Sequence, residues 1–337
     1  MEKKKVRIVL DAMGGDFALQ SNIAGGISAL KETNNRFHII FVGKENEIKN
    51  ELKHLKVKDG NFSILNADEV LSMEDSPTDV IKSKKNSSIS IGVNCQKENN
   101  AEAFVSAGNT GAVMTAGALF LGKIDGVNRP TIGAFIPTEK GFSFLIDAGA
   151  NVDCKTHHLM EFAIMGSIYT SEMLNVKRPK IGLLNVGEEN TKGNEVAIET
   201  NKLFSNSDLN FIGNIEGGDV LRGVVDVIVC DGFIGNILLK FGESIPSFFK
   251  FKFKEVAQKN FSKKILIGSL KNTFKQMFKS LDHEEYGGTP LLGVNGVVII
   301  GHGSSSPKAI KNMILKAEDI INKKIVEKIA SAIKPSK

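Results

Sequence analysis

Six short runs rich in Val, Ile, Leu and Phe constrain this chain most: residues 6–10, 38–42, 103–106, 180–185, 225–230 and 297–300. Most lead into a loop of Gly, Asn, Asp or Ser and then into a helical pattern, which is the rhythm of parallel βα units. Several lack polar alternation, as strands covered on both faces do. Residues 131–136 and 142–147, joined by the turn-like segment 137–141, read instead as a hairpin. The expected fold class is therefore α/β with a mostly parallel sheet and an antiparallel part. A final helix is marked by Ser306 as cap, Pro307 in the first turn and Ile310, Met313, Ile314, Ala317, Ile320 and Ile321 at helical spacing. With no internal repeat and no low-complexity linker, residues 1–337 are expected to form one α/β domain of two lobes.

Composition narrows the function classes. At 42% hydrophobic residues over 337 positions the chain can bury a large core unaided. Cys95, Cys154 and Cys230 form no paired motif, so neither a disulfide framework nor a zinc cage is expected, and a reducing cytoplasm fits. The longest nearly apolar stretch, residues 111–121, is far shorter than a membrane span, so any membrane contact is expected to be peripheral. Only five of 43 basic residues are arginine, which argues against multiple bidentate anion clamps and against sequence-specific nucleic-acid reading.

Ligands in open α/β sheets sit beyond the carboxyl ends of strands, where helix N-termini present unpaired amides. Five polar, mostly glycine-rich loops occupy such places: residues 11–16, 106–112, 185–194, 231–236 and 301–306. Glycines let backbone amides turn towards an anion, and Asn, Thr and Ser complete a cradle for which phosphate is the natural guest. No loop matches the nucleotide phosphate-loop or dinucleotide patterns, so no nucleotide cofactor is expected. Jointly, the five loops suggest one elaborate site.

The motifs DAMGGD (11–16), SAGNTGA (106–112), DxGAN (147–151), LLNxGxE (183–189), KGN (192–194), DGFxGN (231–236), YGGxPLLG (286–293) and GHGSS (301–305) run nearly the length of the chain. In this order they resemble those of the bacterial acyl carrier protein:phosphate acyltransferases of phospholipid synthesis. Thr289 stands where that family is expected to have alanine, and Gly218 where arginine is expected. The resemblance implies a three-layer α/β/α fold similar to phosphotransacetylase and to isocitrate and isopropylmalate dehydrogenases, usually as a homodimer. It implies transfer of an acyl group from acyl carrier protein to inorganic phosphate. Phosphate near neutral pH is already nucleophilic, so the reaction needs positioning and oxyanion stabilisation more than a strong base or a covalent intermediate. The alternatives are a phosphotransacetylase-like enzyme using acyl-coenzyme A, a dehydrogenase on the same fold, and a non-catalytic membrane scaffold for lipid enzymes. The missing dinucleotide fingerprint and the few arginines weigh against the dehydrogenase.

Candidate catalytic residues are Lys192 for phosphate or the developing oxyanion, Asn236 as amide donor to the thioester carbonyl, and His302 in proton transfer. Candidate phosphate or substrate contacts are Asp11, Gly14, Gly15, Asn109, Thr110, Gly111, Gly187, Glu188, Gly193, Asp231, Gly303, Ser304 and Ser305. Glu188, Glu189, Asp231 and Asp11 also have the chemistry of a magnesium cluster, but carboxylates beside glycine-rich loops serve equally as helix caps, and no metal is expected. Asp147, Asn151 and Asp153 are expected to cap or brace a helix over residues 155–174.

Residues 250–279 hold nine lysines and one glutamate, a local charge of +8 within a net +5, and residues 245–281 hold seven of the 21 phenylalanines. This basic amphipathic helical segment suits a solvated helix, an acidic carrier protein, or anionic lipid head groups. Lys250, Lys252, Lys254, Lys271, Lys275, Phe249 and Phe253 are the candidate contacts. The protein is accordingly expected to be cytoplasmic and peripherally membrane-associated.

Overall fold

The computed structural model describes residues 5–57, 60–270, 272–273 and 283–333. Its strands are β1 (Arg7–Asp11), β2 (His38–Gly43), β3 (Phe62–Asn66), β4 (Ala103–Ser106), β5 (Thr131–Thr138), β6 (Gly141–Ile146), β7 (Ile181–Leu184), β8 (Phe211–Ile215), β9 (Val227–Val229), β10 (Thr289–Leu292) and β11 (Val297–Ile300). They form one sheet in the order β3-β2-β1-β4-β11-β10-β5-β6-β9-β7-β8. The helices are α1 (Ala18–Glu32), α2 (Glu45–His54), α3 (Asp79–Lys82), α4 (Ser88–Lys97), α5 (Thr110–Ala116), α6 (Thr156–Leu174), α7 (Glu195–Ser205), α8 (Gly232–Gln258), α9 (Phe261–Ser269), α10 (Pro307–Asn322) and α11 (Ile325–Ala332).

Alternate residues of the inner strands feed two cores, and both sets are apolar. Ile8, Leu10, Phe144 and Ile146 meet the helices α1, α2, α6, α7, α10 and α11 on one face. Val9, Phe104 and Leu145 meet α3, α4, α5 and the start of α8 on the other. Burial on both sides explains why these strands lack polar alternation, and the result is the expected three-layer arrangement.

The centre of the sheet decides where the site lies. β10 pairs antiparallel with both β11 and β5, and β5 pairs antiparallel with β6. The half β3-β2-β1-β4-β11 and the half β6-β9-β7-β8 are each parallel inside. Three reversals between them make the halves run in opposite senses, so their carboxyl-end loops cannot all meet along one crest. The hairpin read from the sequence is β5–β6, with Thr138 opposite Gly141.

The last helix starts as read, with Ser306 Oγ accepting from Ala309 N–H and Pro307 at its head. One member of its inner face was not foreseen. Lys316 is buried, donates from Nζ to Gly288 O at 2.7 Å and lies 5.7 Å from the Phe135 ring centroid. Burial disfavours its charged form and lowers its pKa to about 7. Between that value and the ordinary one near 10.5, the unfolded chain holds a proton that the folded chain lacks, so stability rises with pH across that window by up to about 1.4 kcal/mol per pH unit. Lys316→Met should remove this slope and stabilise the protein near neutral pH by on the order of 2 kcal/mol, after the lost Gly288 hydrogen bond is counted. Urea unfolding near pH 7 and near pH 9 checks both effects.

Candidate active site

Three loops of the first half are knitted together. Asp16 N–H donates to Gly303 O at 2.7 Å, and Gly301 N–H to Ser106 O at 2.8 Å. A Cβ on Gly14 would lie 2.7 Å from Gly108 N and 2.5 Å from Asp11 Oδ2, so this backbone approach requires glycine. Gly15 adopts a φ of 104°, which glycine alone tolerates easily.

Several predicted contacts prove to be struts beneath these loops. Asp11 is fully buried, accepting from Ser106 Oγ at 2.7 Å and Met13 N–H at 2.9 Å. Its burial pushes the carboxyl pKa up, and the hydrogen bonds oppose that shift. Asn109 caps α5 by accepting from Ala112 N–H and donates to the carbonyls of Ser72, Met73 and Asp75, while Gly111 packs on Pro77. Ser305 Oγ donates to His302 O at 2.6 Å. Ser304 holds the imidazole: its N–H donates to His302 Nδ1 at 3.2 Å, so a neutral ring carries its proton on Nε2.

The second half supplies a facing wall. Asp147 is buried under its own loop and accepts from the amides of Gly149, Ala150 and Asn151 and from Asn151 Nδ2, at 2.7–2.8 Å. Burial pushes this carboxyl pKa up as well. Of the expectation that Asp147, Asn151 and Asp153 cap or brace the following helix, the capping is corrected, while Asp147 and Asn151 brace the loop that leads into it. Asn151 donates to Asp147 and Pro130 O, and α6 is capped at Lys155, whose N–H donates to His158 Nδ1. Asp231 caps α8 by accepting from Ile234 N–H at 2.9 Å. One turn on, Asn236 stands against Gly149, which has no side chain to occupy that space and holds a φ of 135°.

Between these walls lies a cavity of about 560 Å³. Its polar rim includes Asp16, Thr110, Asn236, Gly301, His302 and Gly303, and its apolar floor and roof include Ile132, Ala134, Ile136, Val220, Leu221 and Leu239. A second cavity of about 890 Å³ adjoins it, bounded by Asn185, Gly193, Asn194, Asp231 and the α8 residues Ile234 and Ile237. Gly217, Leu238 and Phe241 border both. The five loops thus serve two neighbouring hollows, and the loop of residues 231–236 contributes to both.

His302, Asn236, Thr110 and Gly303 all line the first cavity, whereas Gly193 and Asp231 line the second. Lys192, Glu188 and Gly187 sit on the loop after β7 beside the second cavity but line neither, and Asn185 Nδ2 holds that loop through Lys192 O at 2.9 Å. Asp11, Glu188, Glu189 and Asp231 are spread over three separate loops, and among the described residues no three His, Cys, Asp or Glu side chains stand together as a metal site. The sequence reading missed the whole apolar lining; the signal available was Ile132, Ala134 and Ile136 at period two along one face of β5.

α8 continues past the cavity as an exposed arm carrying Pro246, Phe248, Phe249, Phe251 and the exposed Lys250, Lys252 and Lys254, with Phe249 and Phe253 stacked at 6.3 Å. Lys271 and Lys275 lie outside the described residues. Among the described residues, no helix is long and apolar enough to cross a membrane.

The architecture matches that of a phosphotransacetylase from Streptococcus pyogenes, with a TM-score of 0.62 and 17% identity, covering 96% of this chain and 94% of that one. A branched-chain phosphotransacylase from Enterococcus faecalis V583 matches with a TM-score of 0.57 and 13% identity, covering 93% and 98%. The protein is thus an α/β protein of the phosphotransacetylase fold. Sequence relatives go further. A family model described as fatty acid synthesis protein matches residues 6–328. The phosphate acyltransferase of Dictyoglomus thermophilum is 46% identical over 96% of this chain and 97% of its own length, and that of Acetivibrio thermocellus 44% identical over 96% and 95%. The chain belongs to this phosphate acyltransferase family and is an acyltransferase.

Proposed function

We propose that the cavity between β5 and α8 is where an acyl thioester meets inorganic phosphate, and that the donor is acyl carrier protein. The observation that carries this reading is the mixed lining: Thr110, Asn236, Gly301, His302 and Gly303 share one cavity with aliphatic side chains. A phosphate oxygen attacks the thioester carbonyl carbon, a C–O bond forms, and the C–S bond breaks. The proton leaving phosphate goes to the departing sulfur, so the products are acyl phosphate and free thiol. Asn236 donates its amide to the oxyanion that develops on the carbonyl. The N-terminal turn of α5 at Thr110 and the His302 Nε2–H orient phosphate. Lys192 supplies positive charge from the neighbouring loop, acting on phosphate affinity more than on turnover. The test is to incubate the protein with phosphate and either acyl carrier protein thioester or coenzyme A thioester, trapping acyl phosphate with hydroxylamine. Hydroxamate formed from the carrier thioester at much the higher kcat/KM is expected, and preference for coenzyme A would overturn the donor assignment.

The exposed lysines and phenylalanines of the α8 arm support two further parts of the reading: steering of an acidic carrier, and peripheral contact with anionic membrane by a protein working in the cytoplasm. Binding to anionic vesicles should therefore be reversible and fall as salt rises from about 0.05 to 0.5 M; binding indifferent to salt contradicts the electrostatic part. The molecule is proposed to work as a homodimer.

A further inference from the structure

The apolar part of the cavity has an uneven floor. Ile132, Ala134 and Ile136 project to the same face of β5, and all three line the cavity. The outer two are nearly closed off from solvent, at 8% and 9% exposure, while Ala134 between them is only partly buried. The small side chain leaves a notch where a third Ile would fill the groove. At one end, Ala148 N–H donates to Ile132 O at 2.8 Å and the adjoining Gly149 abuts Asn236, so Ile132 lies beside the polar wall. At the other end, Glu139 N–H donates to Leu221 O at 2.8 Å, which sets Ile136 and Pro137 against Val220 and Leu221. Leu238, Leu239 and Ile245 of α8 close the top.

We infer that Ala134 is the residue that sets how long an acyl chain this groove accepts. The inference rests on the acyl-transfer reading above and adds the path of the chain. Four residues of strand span about 13 Å from Ile132 to Ile136. At carbon bond lengths near 1.5 Å, an extended alkyl chain covers that span with about ten carbons. A chain that enters at Asn236 therefore passes over Ala134 about halfway along the groove. A bulky side chain at 134 stops longer chains there and leaves room for short ones. Discrimination should grow with each methylene excluded, by about fourfold per methylene.

The test compares Ala134→Phe with the unmodified protein on carrier thioesters of four and of sixteen carbons. The four-carbon donor should keep kcat/KM within about threefold, and the sixteen-carbon donor should lose at least about 100-fold. Retained short-chain turnover also reports that the variant is folded. Ile136→Phe, which closes the far end, should spare chains of about eight carbons and reduce only the longest. Equal losses on short and long donors by both variants, or unchanged long-chain turnover in Ala134→Phe, would overturn the assignment while leaving acyl transfer standing. Absence of acyl phosphate from the unmodified protein with every donor would overturn both.

Discussion

Asn236→Ala is expected to lower kcat for acyl phosphate formation by about 100-fold, with KM for the acyl donor changed far less. Asn236 stands in the first turns of α8, against Gly149, where it lines the cavity as part of its polar rim. An amide donor aimed at the developing oxyanion acts in the transition state more than in the ground state, so its loss appears in turnover. Because Asn236 is solvent-exposed and makes no buried hydrogen bond that the α8 start depends on, its removal should leave thermal stability nearly unchanged. Lys192→Ala should differ in kind, raising KM for phosphate with the smaller effect on kcat. Steady-state kinetics varying each substrate in turn separates the two.

Gly235→Ala, one residue earlier, is expected to cost at least about 3 kcal/mol or to prevent folding. A glycine-to-alanine change in an exposed helix ordinarily stabilises by about 0.5–1 kcal/mol. Here a Cβ would overlap the carbonyl oxygen of Asp147 and press on Cys230 Sγ. Both obstacles are fixed: Asp147 N–H is bonded to Cys230 O at 3.0 Å and its carboxylate is tied to three amides of its loop. α8 would have to lift off the sheet, taking Asn236 with it. A denaturation midpoint close to the parent's would show that this packing is far looser than the structure has it.

The sequence exposed those parts of the fold that rest on local pattern. The strands β1, β4 and β11 with their apolar runs, the β5–β6 hairpin and the Ser306-Pro307 start of α10 were legible because each is written in consecutive residues. β10 was not, because Thr289-Pro290-Leu291-Leu292 carries a proline, a residue that normally argues against an inner strand. That short strand lies antiparallel between β11 and β5, and without it the way the two halves of the sheet are joined cannot be read. Motif residues mark candidate loops but not what each side chain touches: in space Asp11 accepts from Ser106 Oγ and Asn109 caps α5. The proposed acyl groove was invisible for the opposite reason. Its aliphatic residues come from β5, the segment before β9 and α8, and aliphatic side chains in a strand read as core whether they face a neighbour or a hollow.

The central claim is that phosphate and acyl chain meet in the cavity between β5 and α8. A crystal structure with inorganic phosphate and a non-hydrolysable acyl thioester analogue bound tests it most directly. Phosphate within hydrogen-bonding distance of Thr110 or His302, the carbonyl at Asn236 and the alkyl chain over Ala134 are the predicted result. Phosphate and analogue together in the cavity beside Asn185 and Asp231, with the β5 groove empty, would contradict it.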